Sequence, residues 1–171
     1  YVEKSLKFAI MKKIFILVAC AVMLCVDAFA QINFWNKIFK TNNFQEAYTI
    51  LYANKCNFYV KTIDYDQHDG TSYDQMVGMK GGTVFVVKSN AIGSNNLKSV
   101  SVTVGETTFE AVNKELSQLG YKKFSDRIET EMLFGRSFSC RVVRYWYGNI
   151  VVKVKIYNDA PGTYQINFSW K

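Results

Sequence analysis

The segment from Thr163 to Lys171 constrains the fold more than any other. Tyr164, Ile166, Phe168 and Trp170 alternate there with Thr163, Gln165, Asn167 and Ser169. Successive side chains of a strand point to opposite faces, so this segment can bury one flank and wet the other only as part of a sheet. Two further extended runs precede it, Phe138 to Tyr147 and Ile150 to Tyr157. Gly148-Asn149 joins those two, and Asn158 to Gly162, with the only proline, turns the chain into the last. The three runs predict a C-terminal three-stranded antiparallel meander with one apolar face.

The register of the first hairpin decides where its charges go. A two-residue loop sets Arg144 opposite Lys153 and groups both with Lys155 beside Trp146. A three-residue loop, Tyr147 to Asn149, instead brings Cys140, Val142 and Trp146 to the side of Val152, Val154 and Ile156. Opposed like charges are unfavourable, so the three-residue loop is expected, with Arg144 turned toward the margin of the buried side.

Upstream, Trp35, Ile38 and Phe39 have the spacing of a short helix. A clearer one has Phe44, Ala47, Tyr48, Leu51 and Tyr52 on one face, Asn43 with Glu46 as its capping box, and its end near Asn54. Strands are expected at Asn57 to Asp64, Thr83 to Lys88 and Leu97 to Val104, the last with Val100, Val102 and Val104 inward. Asp64 to Gly82 reads as a loop rich in Asp and Gly, with at most a helical turn around Tyr73 to Val77. Another loop spans Ser89 to Asn96. A second helix, about 107 to 119, has Thr107 and Glu110 as its capping box and Phe109, Val112, Leu116 and Leu119 as its stripe. Gly120 stands where a left-handed cap belongs, and Tyr121 folds back on Leu116. Tyr121 to Ser137 is assigned to no element. The fold class expected is α+β: an antiparallel sheet of about six strands with two main helices packed on one face.

The N-terminal segment speaks to compartment. Residues 1–10 read as an upstream extension outside the native protein. Met11-Lys12-Lys13, an apolar run from Ile14 to Val26 and Ala28-Phe29-Ala30 have the three-part layout of a secretory signal and resemble that of a Gram-negative bacterium. The apolar run of about 13 residues is short of the roughly 20 a spanning helix needs. The mature chain, residues 31–171, is therefore expected to be a single exported domain, periplasmic or secreted, without a membrane span. The rival reading is a lipoprotein acylated at Cys20, since Leu17-Val18-Ala19-Cys20 resembles a lipobox, although only six apolar residues precede that cysteine.

The mature part holds 17 basic and 12 acidic residues. The basic ones are scattered, which fits a solvated surface and disfavours nucleic acid as partner. Cys56 and Cys140 are the two cysteines after the signal, and an oxidising compartment would allow one bridge between them, contributing about 4 kcal/mol in the chain-entropy model.

Chemistry-bearing residues are few. His68, the only histidine, is where a hydrolase would begin, but no Gly-x-Ser-x-Gly elbow accompanies it. Asp64, Asp66 and Asp69 before Gly70 approach a calcium loop, though one residue longer than the EF-hand start and without its closing glutamate. Gly78, Gly81 and Gly82 precede a strand instead of opening a helix, and no Gly-Lys-Ser or Gly-Lys-Thr follows, so nucleotide is excluded as a partner and the glycines are assigned to a turn. The most suggestive composition is Arg141, Arg144, Tyr145, Trp146 and Tyr147 on the hairpin, since aromatic and arginine side chains favour binding surfaces. The expected function is thus a non-enzymatic binding module for a protein or small ligand, without a cofactor. The alternative is a small hydrolase or metal-dependent enzyme built on His68 and the Asp64 to Asp74 loop.

Overall fold

The computed structural model describes residues 31–66, 70–105, 107–133, 136–158 and 160–171. The expected signal at 11–30 with Cys20, the extension at 1–10, and His68 and Asp69 lie outside these. Three helices and eight strands follow one another: α1 (31–40), α2 (Phe44–Ala53), β1 (Asn57–Ile63), β2 (Tyr73–Lys80), β3 (Thr83–Ser89), β4 (Leu97–Val104), α3 (Phe109–Gln118), β5 (Lys122–Leu133), β6 (Arg136–Tyr147), β7 (Ile150–Tyr157) and β8 (Tyr164–Trp170). All strands belong to one antiparallel sheet in the order β1-β2-β3-β4-β8-β7-β6-β5.

Two four-stranded meanders are therefore joined through β4 and β8, which corrects the expected six strands and two helices. The two strands not foreseen are β2, read from sequence as loop, and β5, read as nothing. The C-terminal meander is accordingly four-stranded.

Pairing registers line up apolar residues in rows across the sheet. Phe58, Gly78, Phe85, Val102, Ile166, Val154 and Val143 form one row, and Val60, Met76, Val87, Val100, Phe168, Val152 and Tyr145 the next. All three helices cover this face. The Trp35 ring of α1 lies 4.9 Å from Phe85, and Phe39 is 4.5 Å from Trp170. From α2, Tyr48 meets Phe58 edge-on at 5.2 Å. On α3, Asn113 accepts a hydrogen bond from the Tyr145 hydroxyl at 2.9 Å. The result is one continuous core containing residues of every helix. No helix of the described residues is long and apolar enough to cross a membrane.

Local signals explain the helix ends. The Asn43 side chain accepts the Glu46 amide at 2.9 Å. The cap of α3 is Thr108, one residue after the expected Thr107, and it accepts the Ala111 amide. At the other end Gly120 has φ +88°, and the amides of Gly120 and Tyr121 bond back to the Ser117 and Leu116 carbonyls. That is the paired arrangement a left-handed glycine permits.

The two outer strands differ. β5 carries Lys122, Lys123, Asp126, Arg127, Glu129 and Glu131 along its length, whereas β1 carries only Lys61. Charges on β5 discourage strand addition at that edge.

At Gly78 the backbones of β1 and β2 approach so closely that a Cβ would overlap the Asn57 carbonyl oxygen and the Phe58 Cβ. Gly78→Ala should therefore lower unfolding free energy by about 2 kcal/mol or more, because strand backbone must move to admit the methyl. Urea unfolding and amide exchange over Phe58 to Val60 check this. A loss within about 0.5 kcal/mol with β1 amides still protected would show the contact to be looser than described.

Candidate functional site

The β6–β7 hairpin turns at Gly148-Asn149 with Tyr147 opposite Ile150, Trp146 opposite Val151 and Arg144 opposite Lys153. This is the two-residue loop, not the expected three-residue one. Gly148 has φ +56°, the conformation required at the first position of such a turn. Like charges face each other after all because β5 supplies what the sequence reading lacked. Arg144 Nη2 donates to Glu129 Oε2 at 2.8 Å. Its Nη1 stands 2.6 Å from Oε1, an ionic contact off the line that a hydrogen bond requires. Lys155 pairs with Glu131 at 2.7 Å.

The five residues singled out on the hairpin divide between the two faces. Arg144 and Trp146 lie on the face away from the helices. Arg141, Tyr145 and Tyr147 lie on the helix side. Tyr145 is fully buried, and burial pushes its hydroxyl up to about 12. Arg141 donates twice to Asp126, at 2.8 and 2.7 Å, and sits over the Phe109 ring at 4.9 Å. Arg141, Arg144 and Tyr145 are thus occupied with holding β5 and α3 to the sheet.

Trp146 and Tyr147 remain available, 44% and 49% exposed. Lys122 is the cross-strand neighbour of Trp146, and the Lys171 ammonium lies 4.4 Å from the centre of its ring. On the other side, Lys40 at the end of α1 lies 4.9 Å above the Tyr147 ring. The Lys171 amide donates to the Asn149 carbonyl at 2.9 Å, which ties the segment after β8 to the turn. One end of the sheet thereby presents two aromatic rings with lysines from three separate parts of the chain. An ammonium over a ring face is attracted by its quadrupole, and the pair offers both stacking area and positive charge to an anionic group.

The Asp-rich segment is engaged differently. Asp66 accepts from the Tyr73 hydroxyl and lies 3.6 Å from Lys88. Asp74 accepts from Thr62 Oγ1 at 2.6 Å and from the Gly93 amide at 2.7 Å, and these donors hold its carboxyl below the usual range. The Asp64 carbonyl accepts from the Ser72 hydroxyl. Among the described residues no group of three His, Cys, Asp or Glu side chains is placed to hold a metal ion. Gly81 and Gly82, with φ +52° and +79°, make the β2–β3 turn.

Both thiols are free. Cys56 lies beside β1 at one edge and Cys140 on β6 near the other, six strand spacings or about 29 Å apart, far beyond disulfide reach. The expected bridge is therefore corrected to two separate thiols, each raised in pKa chiefly by burial. Cys140 and Val142 are buried although, among the described residues, no helix covers their face. Their cross-strand neighbours are Glu129 and Tyr157, and Arg127 and Lys155.

Sequence reasoning missed the acids of β5 and the lysines at 40, 122 and 171. Charges at Arg127, Glu129 and Glu131, two residues apart on one face, were the available signal for β5. The lysines had none, since only folding brings them together. Comparison with protein-family models, curated proteins and solved structures finds no match.

The Arg141 and Arg144 guanidiniums, through their hydrogen bonds, hold Asp126 and Glu129 down to about 2. A depressed carboxylate contributes stability above its unfolded value, near 4, and loses it as pH falls through the folded value. Unfolding free energy should therefore fall between about pH 4.5 and about pH 2. In Glu129→Gln that fall should be shallower, with the variant weaker than the parent at pH 7 and nearly equal to it at pH 2. Parallel acid slopes in urea titrations of the two proteins would remove Glu129 from the account.

Proposed function

We propose that the chain from Gln31 onward is an exported, non-enzymatic binding module that engages an acidic segment of a protein partner through the free end of the β6–β7 hairpin. The observation that carries this reading is the pair of half-exposed rings, Trp146 and Tyr147, each lying beneath a lysine. The arginines and Tyr145 nearby serve the fold, whereas these two rings leave much of their area in water. Large aromatic side chains with adjoining cations supply contact area at low entropic cost and favour acidic partners by charge complementarity. Export is supported by the layout of residues 11–30, with small residues at Ala28 and Ala30 before Gln31.

The test is capture of partners from envelope extracts and culture fluid with the Gln31-to-Lys171 chain, followed by affinity measurement on the partner recovered. Trp146→Ala should weaken binding about tenfold or more, the range expected of a central aromatic contact, while costing under about 1 kcal/mol of stability. Raised salt should weaken the parent complex as well, because its charges are exposed. A partner held equally by parent and Trp146→Ala protein, with the same salt response, would remove the hairpin end from the interface.

A further inference from the structure

Glu115 faces inward from α3 and is 4% exposed. One carboxylate oxygen accepts the Asn33 amide at 3.0 Å, and the Ile32 amide bonds the same group. These amides lie in the first described turn of α1 and are given to Glu115, and amides so directed favour a negative charge through the aligned peptide dipoles. Two neutral amides do not supply a countercharge, however, and among the described residues no cation forms an ion pair with Glu115. The lysines and arginines in ion pairs there face Asp66, Asp126, Glu129 or Glu131 instead. A buried carboxylate without a cation is expensive, and burial pushes this one up to about 7.

Processing at the expected site would create the missing cation beside it. Gln31 immediately precedes the two amides, and its side-chain carbonyl accepts from the buried Thr83 hydroxyl at 3.2 Å, which anchors the residue on β3. The first N–H groups of a helix all point along its axis toward the N-terminal end, so the Gln31 nitrogen is the next donor in the row that Glu115 already receives. Hydrolysis adds water across the Ala30–Gln31 amide, leaving a carboxylate on Ala30 and an amine on Gln31. That amine carries a proton at neutral pH.

We propose that Glu115 is the buried receptor for a new amino terminus: once a signal peptidase cuts between Ala30 and Gln31, the Gln31 α-ammonium pairs with Glu115 and locks α1 onto α3. The proposal rests on the export reading above and adds to it a defined end and a defined partner for that end. Before the cut the same nitrogen is a neutral amide and brings no charge to the acid. Maturation therefore does more than release the chain, because it completes an interface of the folded domain.

The test compares two forms of the protein secreted through its own leader, one beginning at Gln31 and one retaining a single alanine before it, each with Glu115 and with Glu115→Gln. In the Gln31 form, Glu115→Gln should lower the thermal midpoint by roughly 10 °C, as expected when one partner of a buried ion pair is removed. In the alanine-extended form the ammonium is displaced, and the same substitution should change the midpoint by less than about 3 °C or raise it. Equal effects in the two forms overturn the pairing. Should Glu115→Gln fail to fold in the Gln31 form, the two parent proteins still decide the matter. The extended parent must then melt several degrees lower, and equal midpoints overturn the proposal. Secretion and intact mass report the premise independently: failure of the chain to leave the cytoplasm overturns the export reading, and a secreted start other than Gln31 overturns the proposal while leaving export standing. A Gln31 start that has lost ammonia by cyclisation, or shows no coupling, overturns the role of Glu115 alone.

Discussion

The antiparallel pairing of β4 with β8 turns two four-stranded meanders into one sheet, and the rest of the structure depends on it. Each meander alone would leave an edge strand rich in valine or aromatic residues with its backbone groups unpaired. Joined, they set Val100 beside Phe168, Val102 beside Ile166 and Val104 beside Tyr164, and the Trp170 indole donates to the Leu97 carbonyl at 3.0 Å. The apolar rows then run unbroken across the sheet, and α1 lies over the join, with Trp35 against Phe85 of one half and Phe39 near Phe168 of the other. Partners 60 to 70 residues apart in sequence must meet before this can happen, so a large loop-closure entropy precedes most of the burial.

The opposite face shows what the sheet does where no helix of the described residues covers it. Across β4 and β8 it carries serines, threonines and amides, among them Ser101 donating to Asn167 at 2.7 Å. Toward β5 these give way to ion pairs of alternating sign. Val142 and Cys140 are buried there with Arg127, Lys155 and Glu129 as cross-strand neighbours, residues whose aliphatic stems suit an apolar surface while their charges face water. Arg144 can stand opposite Lys153 because Glu129 balances it from the next strand.

Sequence patterns reveal those elements whose local signal agrees with their final environment. Strands β3, β4, β7 and β8, the caps at Asn43 and Gly120, and the helices they bound all follow from period and capping chemistry. Strand β2 was hidden because Asp74, Gly78 and its aspartate-rich approach resemble a loop, although Gly78 is there to let β1 come close. Strand β5 was hidden because an edge strand with ion pairs on one face lacks the apolar rhythm that marks a half-buried strand. Missing β5 also led to the wrong hairpin register, since the penalty for opposed cations was weighed without the acids that offset it. At the candidate site, adjacency misled as well. Arg141, Arg144, Tyr145, Trp146 and Tyr147 are neighbours in sequence, but alternation sends them to both faces; Arg144 and Tyr145 are drawn inward, Arg141 is tied to Asp126, and the two nearest the turn leave exposed rings.

The central position of β8 bears on how the chain is made. Residues 164–170 are synthesised after every other strand, yet they occupy the middle of the sheet. Until they emerge from the ribosome, β4 lacks one neighbour and β7 lacks another, and each unfinished half exposes a flank of valines and aromatics. The nascent polypeptide thus has no native arrangement to settle into early. Closure of the sheet therefore waits for the final seven-residue strand.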